Sequence, residues 1–583
     1  MCGIAGVIGR TDEALIRAMT GALEHRGPEG CGYARWGDAH LGATRLGIMD
    51  PSAGPDLISD ERSRLRLAFN GEIYNHRSLR AYLRSRGHEF ATATDTEVII
   101  HLYEEVGDEC VRYLQGMFAF AVIEPNRVFL ARDRLGIKPL YYTLIAATGL
   151  FIFASEIKAI LKCAEYSPRL DLQAFADFVV LSHPVGTDTF FQDVKSLAPG
   201  HTLSVAFEPG RVTVGRQECY WRGSVSRDET LDIHAAEAAV ADALRAAVQS
   251  HLSADVQVGL TLSGGIDSTL LALFARELGT DPLLTFTIGD DVDHPDVRQA
   301  AYVADAIKAD HVPHIVSFEE YIEAIPGFVA AEERPSRLHG VPFYMLSQHV
   351  GRHVKAVVHG EGADELFGGY QDYVDPTYRL RNASRKLPIL KRLGIGPSQR
   401  LTEILERLAA AGDADEAVEA TFQVNLAEPL QRHHLDPVDK CAMAYGVEVR
   451  VPYLDDPLVQ LVRQLPLGFL VRRDLGVRKY LLRRLCLERF GDRFLDIVLR
   501  GKMGVPSATG SLLARLDQLC EEMLPPTYLA DHQLGYCFES KRQLLGFELF
   551  EDIFFRRRGN VATSGGLVDF LRSRAGRRAE PIL

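Results

Sequence analysis

None of the nine cysteines is paired in a CxxC spacing, so the usual sequence mark of a thiolate zinc site is missing, and an odd count fits a reducing compartment better than a disulfide framework. No apolar run approaches the about 20 residues needed to cross a bilayer. The opening MCGIAGVIGR has no basic segment ahead of its short apolar stretch and no cleavage site behind it. It does not read as a signal peptide, and a cytoplasmic protein is expected. Basic charge is also short: 65 Lys and Arg against 78 Asp and Glu leave a net charge of -13, the opposite of a nucleic-acid footprint. Walker-type GxxxxGKS or GxxxxGKT loops, the dinucleotide fingerprint GxGxxG and internal repeats are all missing.

What remains is a chain of 583 residues, 46% hydrophobic and 25% charged, long enough for about two to four ordinary domains. The first half holds buried-looking strands, GIAGVIG, HLGATRLGIM, LRLAFNGEIYN, GMFAFAVIE and GLFIFASEI. Two amphipathic helices interrupt them, TDEALIRAMTGALEHRG, closed by Gly27 and Pro28, and DTEVIIHLYEEVGDECVRYL. Turn residues between about Pro199 and Trp221 mark a boundary, giving expected domains 1–222 and 223–583. Beyond it, strand, glycine turn and helix recur, as in a doubly wound α/β sheet. Helical patterns dominate from about Asp375, and the tail LRSRAGRRAEPIL is expected to be disordered.

Cys2 is the first residue with chemistry. If Met1 is removed, which a small following residue permits, Cys2 carries a thiol and a free α-amine with a pKa near 8, so nucleophile and base occupy one residue. Alone, a cysteine there is more often inert. Asn70-Gly71, between two strand-like runs, reads alone as a type I′ hairpin turn. The strings MCGIAGV, EHRGPEG, TRLGIMD, FNGEIYNH, TDTEVI and RDRLGIKPLYY, in this order, resemble the glutaminase domain of class II glutamine amidotransferases over about residues 2–205. That resemblance implies an α+β N-terminal-nucleophile fold, an αββα sandwich. It makes Cys2 the nucleophile that forms a glutamyl thioester, and gives Asn70 and Gly71 the oxyanion hole. It places Arg45 on the glutamine α-carboxylate, Glu72 and Asp95 on its α-amine, and Leu46 and Ile48 in the same pocket. Glu29 departs from the family, which usually has Asp after RGP.

In the second half, SGGIDS at 263–268 lies between the strand VQVGLTL and the helix TLLALFARELG, so backbone N–H groups and a helix N-terminus converge as for a polyphosphate. Ser263, Asp267 and Ser268 resemble the pyrophosphate loop of the N-type ATP pyrophosphatases. HGEGADELFGGY at 359–370, DKCAMAYGVEVRVPYLD at 439–455 and RKYLLRR at 478–484 resemble the synthetase domain of the asparagine synthetase family. By that resemblance ATP is cleaved between its α and β phosphates. Leu262, Ser263, Gly264, Gly265, Asp267, Ser268, Ile288, His359 and Gly360 bind it, with Leu262 and Ile288 lining the adenine pocket, and Asp267 with Asp364 hold Mg²⁺. Lys479 stabilises charge on the adenylate or its tetrahedral intermediate, and Glu361 acts on the incoming ammonia. Arg450 is a structural ion-pair partner of Asp455 or Glu448, or a catalytic group.

The implied reaction takes glutamine, ATP and a carboxylate acceptor to glutamate, AMP, pyrophosphate and an amide, with ammonia shielded in a tunnel of small and apolar residues. Aspartate is the default acceptor. His359, where the family usually has Ser, and the segment EERPSRLHGVPFYMLS with Arg337 and His339 leave open a tailoring amidotransferase for another acid. A lactam-forming synthetase fits less well, since Cys2, Arg45, Asn70 and Asp95 are in place; a silent glutamine or nucleotide sensor fits poorly with an intact SGGIDS. Neither nucleic-acid nor membrane partners are expected, and a homodimer is common in the resembled family.

Overall fold

The computed structural model describes residues 2–575 apart from 55–56, 63, 224–225, 501–508 and 562–565. Two antiparallel six-stranded sheets stack in the N-terminal part. One runs Lys195–Ser196, Tyr141–Ile145, Leu150–Ala154, Ile4–Ile8, Ala39–Thr44, Cys31–Trp36. The other runs Arg211–Cys219, His201–Glu208, Arg127–Arg132, Gly116–Glu124, Arg66–Ile73, Ile58–Ser59. Ile4, Ile8 and Leu41 from the first meet Ala121, Ile123 and Leu130 from the second in a shared apolar layer. Helix Glu13–Gly21 packs Ile16 and Met19 on the outer face of the first sheet, and helices His76–Ser85 and Glu97–Val106 cover the second. Both faces of the inner strands are therefore buried, which is why those strands read as continuous apolar runs, while the edge strands Cys31–Trp36 and Arg211–Cys219 keep an exposed side. The expected αββα sandwich is the observed one.

Details differ from the sequence reading. The first helix opens on the Thr-Asp cap its sequence offers, with the Asp12 carboxylate accepting from the Leu15 amide at 2.9 Å, but it ends earlier than expected, at Gly21, with a 3₁₀ turn at Glu24–Arg26 before Gly27. Helix His76–Ser85 was not expected, because a sequence as polar as HRSLRAYLRS buries little beyond Leu79 and Leu83. Residues 201–219 are sandwich strands, so the turn-rich segment belongs to the first half. Of the tail expected to be disordered, residues 571–575 are helical within Gly566–Ala575, and 576–583 lie outside the described residues.

The second half is built on a five-stranded parallel sheet in the order Asp310–Ile315, Leu284–Gly289, Val258–Thr261, Ala356–Val358, Glu448–Arg450. The chain starts in the middle, winds outward to one side, then returns to the other. The switch falls between Val258–Thr261 and Ala356–Val358, the position where open α/β sheets form a ligand crevice at their carboxyl ends. The remainder is mainly helical.

The two halves meet through buried charge. Arg26 reaches Glu156 at 2.7 Å and, across the junction, Asp439 at 2.8 Å. Lys138 shares Asp439 at 3.2 Å, Arg132 pairs with Asp436 at 3.2 Å, and Lys440 pairs with Glu333 at 2.9 Å. Arg26, Arg132 and Lys138 are fully enclosed. The Glu333 carboxylate also accepts from the amides of Ile157, at 2.9 Å, and Lys158, at 2.7 Å, so it is satisfied from both sides. Removing one member strands the others: Asp439→Ala should lower unfolding free energy by about 3–5 kcal/mol in urea titration. A loss below about 1 kcal/mol, the worth of an exposed pair, would show that the junction does not rest on this network.

Candidate functional site

Asn70 and Gly71 sit in the middle of strand Arg66–Ile73, opposite Ala119 and Phe118, so the hairpin-turn reading of this dipeptide is wrong. Glycine is required for contact reasons: a β-carbon at 71 would lie 2.0 Å from the Met117 carbonyl oxygen. The neighbouring sheet brings Cys2 over this point, with its backbone nitrogen donating to Asn70 Oδ1 at 3.3 Å. Asn70 is wholly buried, yet its Nδ2 has no hydrogen-bond partner among the described residues. A buried amide donor beside a thiol, left without an acceptor, costs about 1–3 kcal/mol unless something else fills the place.

Around them lie the remaining glutamine-site candidates. Arg45 donates to the carbonyls of Asp50, at 2.6 Å, and Met49, at 3.3 Å. Leu46 and Ile48 bury their side chains in the core, which leaves backbone as what they can offer a ligand. Asp95 accepts from the Ile73 amide at 2.8 Å. Burial raises the Asp95 and Glu72 carboxyls, and at Glu72 the neighbouring Asp95 adds to that. Glu72 is also held by Arg450 of the second half, Nη2 to Oε1 at 3.1 Å. Arg450 pairs in addition with Glu448 at 2.5 Å and donates to the carbonyls of His251 and Ser253. The expected alternative partner Asp455 is not among these contacts. Arg450 thus ties the strand next to one edge of the second sandwich sheet to the edge strand of the parallel sheet. Glu29 accepts from the Gly47 amide at 2.6 Å and pairs with Lys355 across the junction.

At the switch point of the parallel sheet, Ser263 and Ser268 hydroxyls meet at 3.1 Å and the Ser263 amide donates to Ser268 Oγ at 3.1 Å, which shapes the loop ahead of helix Ile266–Glu277. Asp267 stands in the first turn of that helix. Its Oδ2 lies 2.5 Å from Lys479 Nζ, and Asp364 Oδ1 lies 2.6 Å from the same nitrogen. Burial works against the Lys479 charge, but the two carboxylates outweigh it and its pKa is raised. Lys479 itself has φ +52°, a left-handed conformation that a non-glycine residue adopts at a cost of about 1–2 kcal/mol. The turn after Asp364 has to be bare: a β-carbon at Gly369 would fall 1.7 Å from Asp364 Oδ1 and 2.4 Å from Lys479 Cε.

These groups line a cavity of about 460 Å³, together with Leu262, Ile288, Glu361 and Arg337. Gly265, His359 and Gly360 also line it; Gly264 does not. Glu361 stands between two imidazoles, 3.1 Å from His434 Nδ1 and 3.6 Å from His359 Nε2. Burial favours its protonated form, but the two histidines prevail and its pKa is lowered well below the usual carboxylate range. His359 is oriented by Thr261 Oγ1 at 2.6 Å from its Nδ1, and Tyr370 and Glu365 hold the far side of His434. Sequence reasoning missed His434 and Tyr370. Nothing in their spacing distinguished them.

The descriptions "Glutamine amidotransferase domain" and "Asparagine synthase" match residues 1–221 and 239–552. A Bacillus subtilis protein, asparagine synthetase [glutamine-hydrolyzing] 1, is 29% identical over 87% of this chain and 87% of its own. The maize asparagine synthetase [glutamine-hydrolyzing] is 30% identical over 83% of this chain and 74% of its own. The chain belongs to the glutamine-hydrolysing asparagine synthetase family. It is a ligase of the class that forms C–N bonds with glutamine as nitrogen donor.

In this family member the element joining the two sites is helix Asp436–Met443. Asp439 pairs with Arg26, whose Nε donates to the Cys2 carbonyl at 3.3 Å, while Pro437, Val438 and Cys441 line the large cavity. The contacts between the Cys2 segment and that helix run through the Arg26 guanidinium. No described helix is long and apolar enough to cross a membrane.

Beneath Arg450, His251 is buried and kept neutral: burial, then Arg450, outweigh its contact with the Ala247 carbonyl and lower its pKa to about 3. A depressed base binds its proton more readily when unfolded, so its contribution to stability is intact above about 6.5 and is lost as pH falls toward 3. His251→Phe should flatten the acid limb of stability against pH by up to about 1.4 kcal/mol per pH unit, measured by denaturant titration between those limits. An unchanged slope would show that His251 does not titrate this way.

Proposed function

We propose that the chain hydrolyses glutamine at Cys2 and passes ammonia to an acyl-adenylate formed from ATP and a carboxylate, with L-aspartate as first acceptor. The observation that carries this reading is the buried, partnerless Asn70 Nδ2 beside Cys2. Loss of Met1 would make the Cys2 nitrogen an α-amine able to take the thiol proton, and Asn70 Oδ1 would orient that amine. The attacked carbonyl oxygen would then turn toward Asn70 Nδ2 and the Gly71 amide. Arg45, Glu72 and Asp95 would hold the amino-acid end of glutamine, with Leu46 and Ile48 contributing backbone.

On the other side, ATP would lie across residues 262–268, its base near Leu262 and Ile288, with His359 and Gly360 at the neighbouring strand end. Asp267 and Asp364 already converge on one cation, the Lys479 ammonium, so the donor set suits Mg²⁺. When bound, that ion would screen phosphate charge. Lys479 would then be freed to face developing charge at the adenylate, and ionised Glu361 would accept the proton ammonia sheds. We assign the glutaminase to residues 1–222 and the synthetase to 223–583, working in the cytoplasm, with helix Asp436–Met443 as the wall along which ammonia travels. A homodimer is consistent with the family.

Arg337 supports the acceptor site and a second reading of it. No carboxylate among the described residues lies within ion-pair distance of its guanidinium, which lines the cavity and has its pKa lowered by burial. It would take an acceptor carboxylate, and His359 in place of the usual Ser suits an acid other than aspartate.

Cys2→Ala should abolish glutamate production while leaving ammonia-dependent pyrophosphate release, and Asn70→Ala should lower glutaminase kcat by about 10²–10³. Retained glutamine hydrolysis in Cys2→Ala would refute the mechanism. Arg337→Ala should raise the acceptor KM roughly tenfold to a hundredfold with the ATP KM unchanged. Pyrophosphate release that ignores aspartate but answers another carboxylate moves the acceptor to the tailoring reading.

A further inference from the structure

Far from both sites in sequence role, helix Glu97–Val106 turns one face toward the loops that carry Glu61 and His88. His101 and Glu104 stand on that face, and one ligand atom each from Glu61, His88, His101 and Glu104 falls within 4.8 Å of all the others. His88 Nδ1 is 3.2 Å from Glu61 Oε1 and 3.7 Å from Glu104 Oε2; His101 Nδ1 is 3.4 Å and 3.1 Å from the same two oxygens. Ligands held about 2.0–2.1 Å from zinc at tetrahedral angles stand about 3.3–3.4 Å apart, so these contacts match the edges of a zinc tetrahedron.

A second observation is independent of that spacing. His101 Nε2 stays 3.7 Å from Glu97, beyond hydrogen-bond reach, while both imidazoles turn Nδ1 into the cluster and His88 sets its Nε2 on an outer carboxylate, Glu105, at 3.2 Å. Metal-bound histidines are oriented in this way, with the remote nitrogen on a carboxylate that fixes the ring and raises its basicity. His101 is almost fully buried and Glu61 is at the rim, which gives an ion a way in. The missing CxxC spacing, a mark of thiolate sites, has no bearing on this donor set.

We propose that Glu61, His88, His101 and Glu104 form a four-ligand site for a divalent cation of the zinc class, which fastens the loop leading into the glutamine pocket. The link to that loop is Glu97, one turn before His101 on the same helix, which accepts from the amides of Ala91, at 2.7 Å, and Thr92, at 2.8 Å, just ahead of Asp95. A seated ion fixes the helix that carries both His101 and Glu97, and Glu97 holds the segment that leads to Asp95. The site rests on these contacts alone and stands whether or not the glutaminase reading does.

The full chain, stripped by chelator and titrated with Zn²⁺ alone, should take up one equivalent and unfold at a higher temperature, and Co²⁺ should give the intense visible bands of tetrahedral coordination. His88→Gln, at the partly open side, should lose the tetrahedral cobalt spectrum, and Glu105→Gln, outside the ligand set, should weaken zinc by about 10–100-fold. His434→Gln, which breaks the other carboxylate–histidine cluster at Glu361 and Glu365, should keep full zinc uptake. Zinc uptake that survives His88→Gln and Glu105→Gln but is lost in His434→Gln overturns the assignment. So does a wild-type chain that neither retains Zn²⁺ nor shifts its unfolding temperature, which would make the cluster a set of hydrogen bonds and ion pairs only.

Discussion

The placement of both sites depends on Arg26. Its guanidinium is enclosed between Glu156 of the sandwich and Asp439 of the second half, and its Nε reaches the Cys2 carbonyl. A buried guanidinium is tolerable only if each side is matched by charge or carbonyl, since desolvation would otherwise cost several kcal/mol. That requirement fixes the distance and rotation of helix Asp436–Met443 relative to the strand that carries Cys2. The pairs at Lys138, Arg132 and Lys440 repeat the requirement nearby. An apolar junction of equal area could slide; a set of directional, desolvated ion pairs cannot without exposing unpaired charge.

The same economy appears at Arg450. One guanidinium pairs with Glu448 and Glu72 and donates to two carbonyls at the end of helix Ile233–Leu252. A shift of the parallel sheet would therefore be felt at a carboxylate next to Asn70. Arg450 therefore links the two halves directly, through ion pairs and carbonyl contacts.

Several parts were legible because local chemistry forces them. Apolar runs such as GMFAFAVIE can only be buried strands, and SGGIDS between strand and helix has to turn sharply with its amides converging. Asn70-Gly71 shows where the local reading fails. A preference for a hairpin turn belongs to an isolated peptide, whereas here strand Gly116–Glu124 passes so close that only glycine fits, and the pairing holds the dipeptide extended. Helix His76–Ser85 was missed for a related reason: its stability comes from two leucines packed on a sheet, which a polar sequence does not advertise.

Sequence by itself determined the family and the class of reaction, because the motifs that carry the resemblance are contiguous strings that can be read without the fold. Tertiary structure alone decided which charges face one another. Arg26 with Asp439, Arg450 with Glu72, Lys479 with Asp267, and His101 with Glu61 are separated by long stretches of chain, and electrostatic pairing falls off with distance in space, to which distance along the sequence is no guide.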